Sequence, residues 1–255
     1  MANLKTTEEI QIMREGGKIL GEILKKLEEA VKPGITTNDL EKLARELILT
    51  YEVRSSFLGF EGYPNMLCTS LNDEIVHGIP SDRVLKEGDL LKVDMGVLHR
   101  GFHTDSATTV LVGYVEDVPS HINDLIKRKL IQVTKESFEI GISKAKVGNT
   151  LGDIGSAIQK HVEEKGFNVI RDLVGHGIGR ELHEAPQVLN YGKTGTGEKL
   201  VPGMVIAIEP MVVTGKWAIK NGKDGYAFVT KDGGLAAHFE HTIAITDNGP
   251  LILTN

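Results

Sequence analysis

"LLKVDMGVLHRGFHTDSATTVLV", residues 90–112, decides the fold. Two segments rich in apolar and β-branched residues flank the polar centre around residues 99–101, a pattern typical of a β-hairpin. With a two-residue loop at His99–Arg100, Asp94 would face Asp105, and opposed residues on a hairpin lie about 4.5–5.5 Å apart at Cβ. Like charges that face each other destabilise a sheet. The hairpin therefore predicts a carboxylate pair that binds a cation.

A second pair follows from "VPGMVIAIEPMVVTG", in which Glu209 interrupts an apolar segment. Burial of a lone carboxylate is expensive, so another group must offset its charge. The midpoint between Glu209 and Glu240 falls at Asp224–Gly225, and Asp-Gly is a strong hairpin signal. Gly215 and Gly234 are equidistant from the same midpoint, which predicts a kink on both sides of the ribbon.

The two pairs belong to an internal repeat. "EGDLLKVDMG" (87–96) resembles "PGMVIAIEPM" (202–211), and "KPGITTNDL" (32–40) resembles "KVGNTLGDI" (146–154). The first of these matches aligns Asp94 with Glu209. A further match, of "HTDSATT" with "HFEHTIA", aligns Asp105 with Glu240. Helical patterns precede extended patterns in each copy. We therefore expect an α+β fold in one catalytic domain, residues 1–255, with half-repeats of approximately 1–118 and 119–255.

Composition limits the class of protein. The chain has 255 residues, 40% of them hydrophobic, and a net charge of −6. This charge argues against a specific nucleic-acid partner, and no apolar run reaches the ~18 residues of a membrane span. Cys68 is the single cysteine, so no intramolecular disulfide can form. The first residues carry charges and no apolar segment of a signal peptide. We expect a cytoplasmic protein.

Each acid taken alone could be an ordinary surface or ion-pair residue, and the coincidence of two facing pairs in one repeat register argues otherwise. Among nine histidines, His176 stands out because Gly175, Gly177 and Gly179 surround it, and glycine permits close approach of backbone or ligand. Four carboxylates carry four negative charges, which two divalent ions would balance. That balance suits a dinuclear hydrolase site with hard oxygen ligands.

Five motifs, in order along nearly the whole chain, resemble the type I methionine aminopeptidase family. They are "CTSLNDEIVHGIP", "DMGVLHRGFHTD", "GHGIGRELHEAP", "IEPMV" and "HFEHTIAITDNG". The resemblance implies the pita-bread fold, in which two pseudo-symmetric halves surround a central antiparallel sheet. It also implies removal of the N-terminal methionine from nascent chains whose second residue is small.

The resemblance assigns the metal ligands as Asp94, Asp105, His176, Glu209 and Glu240. Asp105 and Glu240 would bridge two divalent ions, for which Co, Mn, Fe and Zn all suit the donor set. A water between the ions would be the nucleophile and Glu209 its general base.

Further roles come from the same resemblance. His183 would polarise the carbonyl, and His77 would contact the scissile amide or the leaving group. The methionine pocket would be lined by five residues, with Phe57 nearby: Phe60, Tyr63, Cys68, Leu182 and Tyr226. Leu182 and Tyr226 replace bulkier aromatics, and Thr104 stands where the family often has glycine, so the shape of the pocket differs from the family's usual pattern.

Other functions remain open at this point. A proline-specific aminopeptidase or dipeptidase shares the fold and the ligands but usually carries an additional N-terminal domain. A creatine-hydrolysing relative uses the fold without metal. A catalytically inactive relative could be a ribosome-associated binding protein, although lost ligands and a basic surface would be expected of it. As partners we expect N-terminal methionine peptides and transient contact with ribosomes, and we expect a monomer.

Overall fold

The computed structural model describes residues 2–113 and 122–255. The predicted boundary between the half-repeats, at residues 118 and 119, lies outside the described residues. The described helices are α1 (Thr7–Ala30), α2 (Thr37–Thr50), α3 (Ile122–Lys144) and α4 (Leu151–Glu164). None of these helices is both long enough and apolar enough to cross a membrane.

The repeat is visible in the helices. α2 and α4 each contain 14 residues, and each starts after a threonine whose N–H donates to the carboxylate of an aspartate three residues later. The N···O distances are 2.9 Å from Thr36 to Asp39 and 2.7 Å from Thr150 to Asp153. Each of these bonds satisfies the backbone N–H of the residue that precedes the helix. The matching caps start both helices at equivalent points of the two copies.

The strands form one large sheet and two small ones. In chain order they are β1 (Arg54–Ser55), β2 (Cys68–Leu71), β3 (Glu74–Val76), β4 (Leu90–His99), β5 (Phe102–Leu111), β6 (Asn168–Val169), β7 (Gly175–Gly177), β8 (Glu184–Val188), β9 (Val205–Ile208), β10 (Met211–Val213), β11 (Ile219–Asn221), β12 (Phe228–Thr230), β13 (Ala236–His238), β14 (Glu240–Thr246) and β15 (Gly249–Ile252). The large sheet has the order β1-β4-β5-β14-β9-β7-β8, with β2 paired to β4 and β15 to β14. The small sheets are β13-β10-β6 and β11-β12-β3.

The first hairpin differs from the prediction in its register. His99 pairs with Phe102, so the turn is Arg100–Gly101, and both turn residues have positive φ, 48° and 86°, as in a type I′ turn. Asp94 therefore faces Ala107, and Asp105 faces Gly96. The predicted pairing of Asp94 with Asp105 is wrong by two residues. A shift of two keeps both carboxylates on the same face of the sheet.

The second ribbon has the predicted register. Ile208 pairs with His241, Met211 with His238, and Ile219 with Thr230, all symmetric about residues 224–225. The ribbon kinks near the two predicted glycines, where the Thr214 N–H donates to Leu235 O at 3.0 Å. Beyond this point the strands leave one small sheet and enter the other.

The helices cover one face of the large sheet. Leu91, Val93, Met95 and Val97 alternate along β4 and pack with apolar residues of α1 and α2 in one cluster. In the second half, the helices α3 and α4 pack in the same way against residues of β9 and β14. Because side chains alternate along a strand, Asp94 points to the opposite face. The fold is the predicted pita-bread fold, and the carboxylates lie on the face of the sheet away from the helices.

Candidate metal centre

Five adjacent strands each place one predicted ligand at the centre of the large sheet. In sheet order, β4 carries Asp94, β5 carries Asp105, β14 begins with Glu240, β9 ends directly before Glu209, and β7 carries His176. The structure thus brings together all five residues, although they come from distant parts of the chain.

Ala107 separates two of the acids. It pairs with Asp94 on one side and with Glu240 on the other, and opposed residues on neighbouring strands point to the same face. Its methyl group is the smallest side chain after glycine, so the surface between the two carboxylates stays open. Asp105 lies on the same strand and face, two residues away. Ala107 is not among the residues predicted from the sequence.

The carboxylates are buried and lack sufficient partners. The exposed fractions of Asp94, Asp105 and Glu240 are 7%, 4% and 3%, and Asp94 Oδ1 and Glu240 Oε1 have no hydrogen-bond partner. Burial, with the neighbouring carboxylates as a second cause, raises the pKa of Asp94, Glu209 and Glu240 well above the ordinary values. Burial raises the pKa of Asp105 to about 7. Such a cluster needs cations or protons to compensate its charge.

The imidazole of His176 faces the acids with one nitrogen free. Its Nδ1 lies 2.8 Å from Gly177 O, so Nδ1–H donates there and leaves the lone pair of Nε2 free. Nε2 lies 3.6 Å from Glu209 Oε1 and 4.0 Å from Glu240 Oε1. Burial lowers the pKa of His176 to about 3, which keeps the imidazole in the neutral form that binds metal.

The donor atoms fit a divalent ion. One atom each from Asp105, His176 and Glu240 lies within 4.8 Å of the others, the spacing expected around a shared ion. The orphaned oxygens of Asp94 and Glu240 would gain partners from such ions, and an oxygen-rich set with one imidazole suits first-row divalent metals.

The glycines beside His176 allow neighbouring backbone to approach closely, as predicted. A Cβ at Gly175 would lie 2.4 Å from Ala207 O, and a Cβ at Gly177 would lie 2.2 Å from Ala185 O. Side chains at these positions would push β7 away from the adjacent chain segments. The glycines therefore let β7 bring His176 close to the acids.

His77 and His183 line the same cavity, of about 270 Å³. The His183 ring packs edge-on against His176, with centroids 4.4 Å apart, and against Phe60 at 5.0 Å. His77 has a φ of 61°, in the left-handed region that is rare for a residue with a side chain. Burial lowers the pKa of His77 to about 4 and lowers that of His183, so both rings are neutral near pH 7.

The predicted methionine pocket opens onto the carboxylates. All five predicted residues, and Phe57, line the same cavity as the acids: Phe60, Tyr63, Cys68, Leu182 and Tyr226. The Tyr63 hydroxyl lies 3.0 Å from both Leu67 O and Gly78 O, which fixes its ring in the wall. Tyr226 meets Tyr63 edge-on at 5.5 Å. Five further lining residues were not predicted: Glu61, Val76, Gly225, Phe228 and His238.

His238 has no predicted role, yet it is fully buried beside two of the acids. Its Nε2 lies 3.6 Å from Glu209 Oε2, and burial lowers its pKa to about 3. The signal in the sequence is its position two residues before Glu240, with Phe239 between them. Because β13 ends at His238 and β14 begins at Glu240 in a different sheet, the two residues do not lie on one continuous strand. Strand periodicity therefore does not place their side chains together.

Comparison with known proteins identifies the family. The model of metallopeptidase family M24 matches residues 11–247. The methionine aminopeptidase of Clostridium acetobutylicum is 51% identical over 100% of this chain and 99% of that relative. The crystal structure of methionine aminopeptidase from Thermotoga maritima superimposes with a TM-score of 0.94 and 44% identity, covering 100% of both chains.

A prolidase from Pyrococcus furiosus shares the fold at lower similarity. Its TM-score is 0.76 at 24% identity, and the match covers 99% of this chain but 65% of the prolidase. At this identity the likeness shows the fold alone. The full-length matches confirm the resemblance found in the motifs: this chain belongs to metallopeptidase family M24.

Proposed function

We propose that this chain removes the N-terminal methionine from peptides and nascent proteins whose second residue is small. The observation that carries the proposal is the continuity of one cavity, in which a cluster of buried carboxylates and His176 adjoins an apolar wall. The high identity to methionine aminopeptidases over the full length supports the same activity. A divalent metal is the cofactor that the M24 family implies.

The roles of the side chains follow from their positions. Asp94, Asp105, His176, Glu209 and Glu240 would hold two divalent ions, with Asp105 and Glu240 shared between them. Bound ions lower the pKa of a coordinated water to about 7 and so supply a nucleophile.

Glu209 accepts the proton of the attacking water and returns it to the leaving amine. Glu209 directly follows β9 and lines the cavity, and general acid–base groups of this kind contribute about 10²–10⁴-fold to the rate. His183 is neutral near pH 7 and donates an N–H to the carbonyl oxygen as charge develops there. His77, which lines the same cavity, contacts the amide or the leaving group.

The apolar wall gives methionine selectivity. Phe60, Tyr63, Cys68, Leu182 and Tyr226 bury the side chain of the terminal residue, and a pocket of this kind discriminates by about 1–3 kcal/mol per methylene. We therefore expect a preference for methionine over leucine of about 10–200-fold rather than complete rejection. The small Leu182 and the Tyr226 phenol set the depth of the slot.

Several further properties are part of the proposal. The enzyme works in the cytoplasm as a monomer, meets its substrates during synthesis with transient ribosome contact, and uses Co, Mn, Fe or Zn. Each of these metals accepts carboxylate and imidazole ligands.

The test compares three peptides. Metal-stripped enzyme receives Mn, Co or Zn in turn and is assayed on Met-Ala-Ser, Leu-Ala-Ser and Ala-Pro-Ala. We expect metal-dependent release of methionine, slower release of leucine and no cleavage of the proline peptide. Cleavage of Ala-Pro-Ala would move the chain to the proline-specific branch. If the fully metal-loaded protein cleaves none of the three peptides, the result would favour the alternative of a catalytically inactive, ribosome-associated binding protein.

The assay includes a matched variant. Glu209→Gln has nearly the same volume but cannot accept a proton, so we expect its kcat to fall about 10²–10⁴-fold. Glu198→Gln, on the half-buried loop before β9, is the control and should retain wild-type kcat. Equal rates for the two variants would contradict the role of Glu209.

A further inference from the structure

His238 is held firmly behind the metal centre. It ends β13, where it pairs with Met211. The Thr109 hydroxyl on β5 donates to His238 O at 2.7 Å and accepts from His238 N–H at 2.8 Å. This double contact fixes the backbone of His238 against the first hairpin. The direction of its ring is therefore a property of the fold and not of a loose loop.

The ring is buried without any partner. The side chain is 0% exposed, and neither Nδ1 nor Nε2 makes a hydrogen bond. A buried polar group without a partner costs about 1–3 kcal/mol, which an apolar side chain would avoid. A purely structural role does not account for an imidazole at this position.

Carboxylate oxygens of the metal centre lie close to Nε2. Nε2 lies 3.6 Å from Glu209 Oε2 and 3.9 Å from Glu240 Oε2. These separations are too long for hydrogen bonds. Ligand atoms that each lie about 2.0–2.2 Å from one ion are roughly 3–4 Å apart. One ligand atom each of Glu209, His238 and Glu240 lies within 4.8 Å of the others, which is compatible with a shared ion.

The arrangement mirrors that of His176. The Nε2 of His176 lies beside the Oε1 atoms of Glu209 and Glu240, at 3.6 and 4.0 Å, and His238 lies beside their Oε2 atoms. Each glutamate thus offers one oxygen to each imidazole. The two imidazoles thus lie beside different oxygens of the same two carboxylates.

From this geometry we infer that His238 is a sixth metal ligand, which supplies an imidazole nitrogen to a cation on the Oε2 side of Glu209 and Glu240. The inference rests on the metal centre of the proposed function and adds a donor that the family resemblance does not assign. An imidazole favours Co, Ni, Cu or Zn over Mn, which prefers oxygen ligands. His238 would therefore raise the affinity of one cation position and shift its preference away from Mn.

The experiment titrates metal-free protein with Co and, separately, with Mn by calorimetry. The variants are His238→Leu, which removes all polar atoms, and His238→Gln, which retains an N–H donor near the position of Nε2. His161→Gln on α4 is the control for loss of a histidine outside the cavity.

We expect two Co ions per wild-type chain. In both His238 variants, the affinity for one of these ions should fall at least about tenfold. The Co affinity should fall more than the Mn affinity. Wild-type Co affinity in His238→Gln with loss in His238→Leu would overturn the inference, because His238 would then act as a hydrogen-bond donor. Wild-type affinity in both variants would also overturn it. Binding of no metal by the wild type would instead refute the metal centre itself.

A measurement on the unaltered protein covers the case in which His238→Leu fails to fold. In the Co-loaded enzyme, the N–H of each ligating imidazole gives a strongly shifted, exchangeable proton resonance. We expect two such signals at two equivalents of Co, one from His176 and one from His238. A single signal at full loading would overturn the inference.

Discussion

The two hairpins that carry the acids reach the same arrangement by different routes. The first, β4–β5, runs unbroken for 10 residues on each side within the large sheet, and its acids lie in the middle of the strands. The second ribbon breaks into three strand pairs in three sheets, and its acids flank the first break, at Glu209–Pro210 and Phe239–Glu240. A carboxylate is thus held either by continuous pairing or at the corner between two sheets.

The corner adds what the straight hairpin lacks. The acids are 31 residues apart in the second half and 11 apart in the first, and the added residues supply Tyr226, Phe228 and His238 to the cavity. The first hairpin contributes only its two acids to the cavity, while the second contributes acids and wall residues. The residues that lengthen the second copy therefore form part of the cavity wall beside the acids.

The largest effect is expected from the acids of the first hairpin. Asp105 would bridge both ions and Asp94 would hold one, so Asp105→Asn should lose both ions and Asp94→Asn about one. We expect kcat/KM on Met-Ala-Ser to fall at least about 10³-fold for Asp105→Asn, since neither a nucleophile nor its orientation remains. Metal content by mass spectrometry after dialysis separates the two variants. Two retained ions in Asp105→Asn would contradict the bridging role.

Much of this centre was predictable from the sequence. Glu209 was found because a carboxylate in an apolar segment needs compensation, and its repeat partner Asp94 followed from the aligned copies. The register of the second ribbon was also predicted, because an Asp-Gly pair and two equidistant glycines fix its symmetry. These features are local, so the sequence carries them directly.

Other features depend on tertiary structure. The first hairpin turns at Arg100–Gly101 because Arg100 accepts a positive φ beside Gly101, and residue preferences alone do not distinguish this turn from one a residue earlier. Ala107 matters because two strands from different halves place acids on both sides of it. His238 reaches the centre from a different sheet, a placement that strand periodicity cannot indicate.

A smaller effect, on metal affinity, is expected at Ala107, where the first hairpin pairs with the second ribbon. Ala107 is 3% exposed, and Ala107→Leu would fill the surface between Asp94 and Glu240. Overpacking costs about 1–3 kcal/mol, which corresponds to a 5- to 150-fold weaker affinity for the ion that Asp94 holds. Calorimetric titration of metal-free protein measures this change. Ala107→Ser, which keeps the space open, is the control, and wild-type affinity in Ala107→Leu would show that the space is not needed.

The smallest effect on activity is expected at the residue that follows each bridging acid, Ser106 in the first hairpin and His241 in the second. The two side chains meet, with Ser106 Oγ 3.1 Å from His241 Nδ1, and Thr254 Oγ1 lies 2.8 Å from the same nitrogen. Burial lowers the pKa of His241 to about 4 from its ordinary 6.5. Only the unfolded chain then binds this proton between these values. The free energy of unfolding therefore falls as the pH drops from 6.5 to 4.

His241→Gln removes this titration. Relative to the wild type, the variant should gain up to about 3 kcal/mol between pH 6.5 and 4, and its activity at pH 7.5 should be unchanged because His241 does not line the cavity. Urea unfolding of the metal-free proteins at both pH values measures the difference, since metal binding itself depends on pH. Parallel pH profiles for His241→Gln and the wild type would mean that His241 takes up its proton within the folded sheet. In that case the corner of the second ribbon admits water more readily than the straight hairpin beside it.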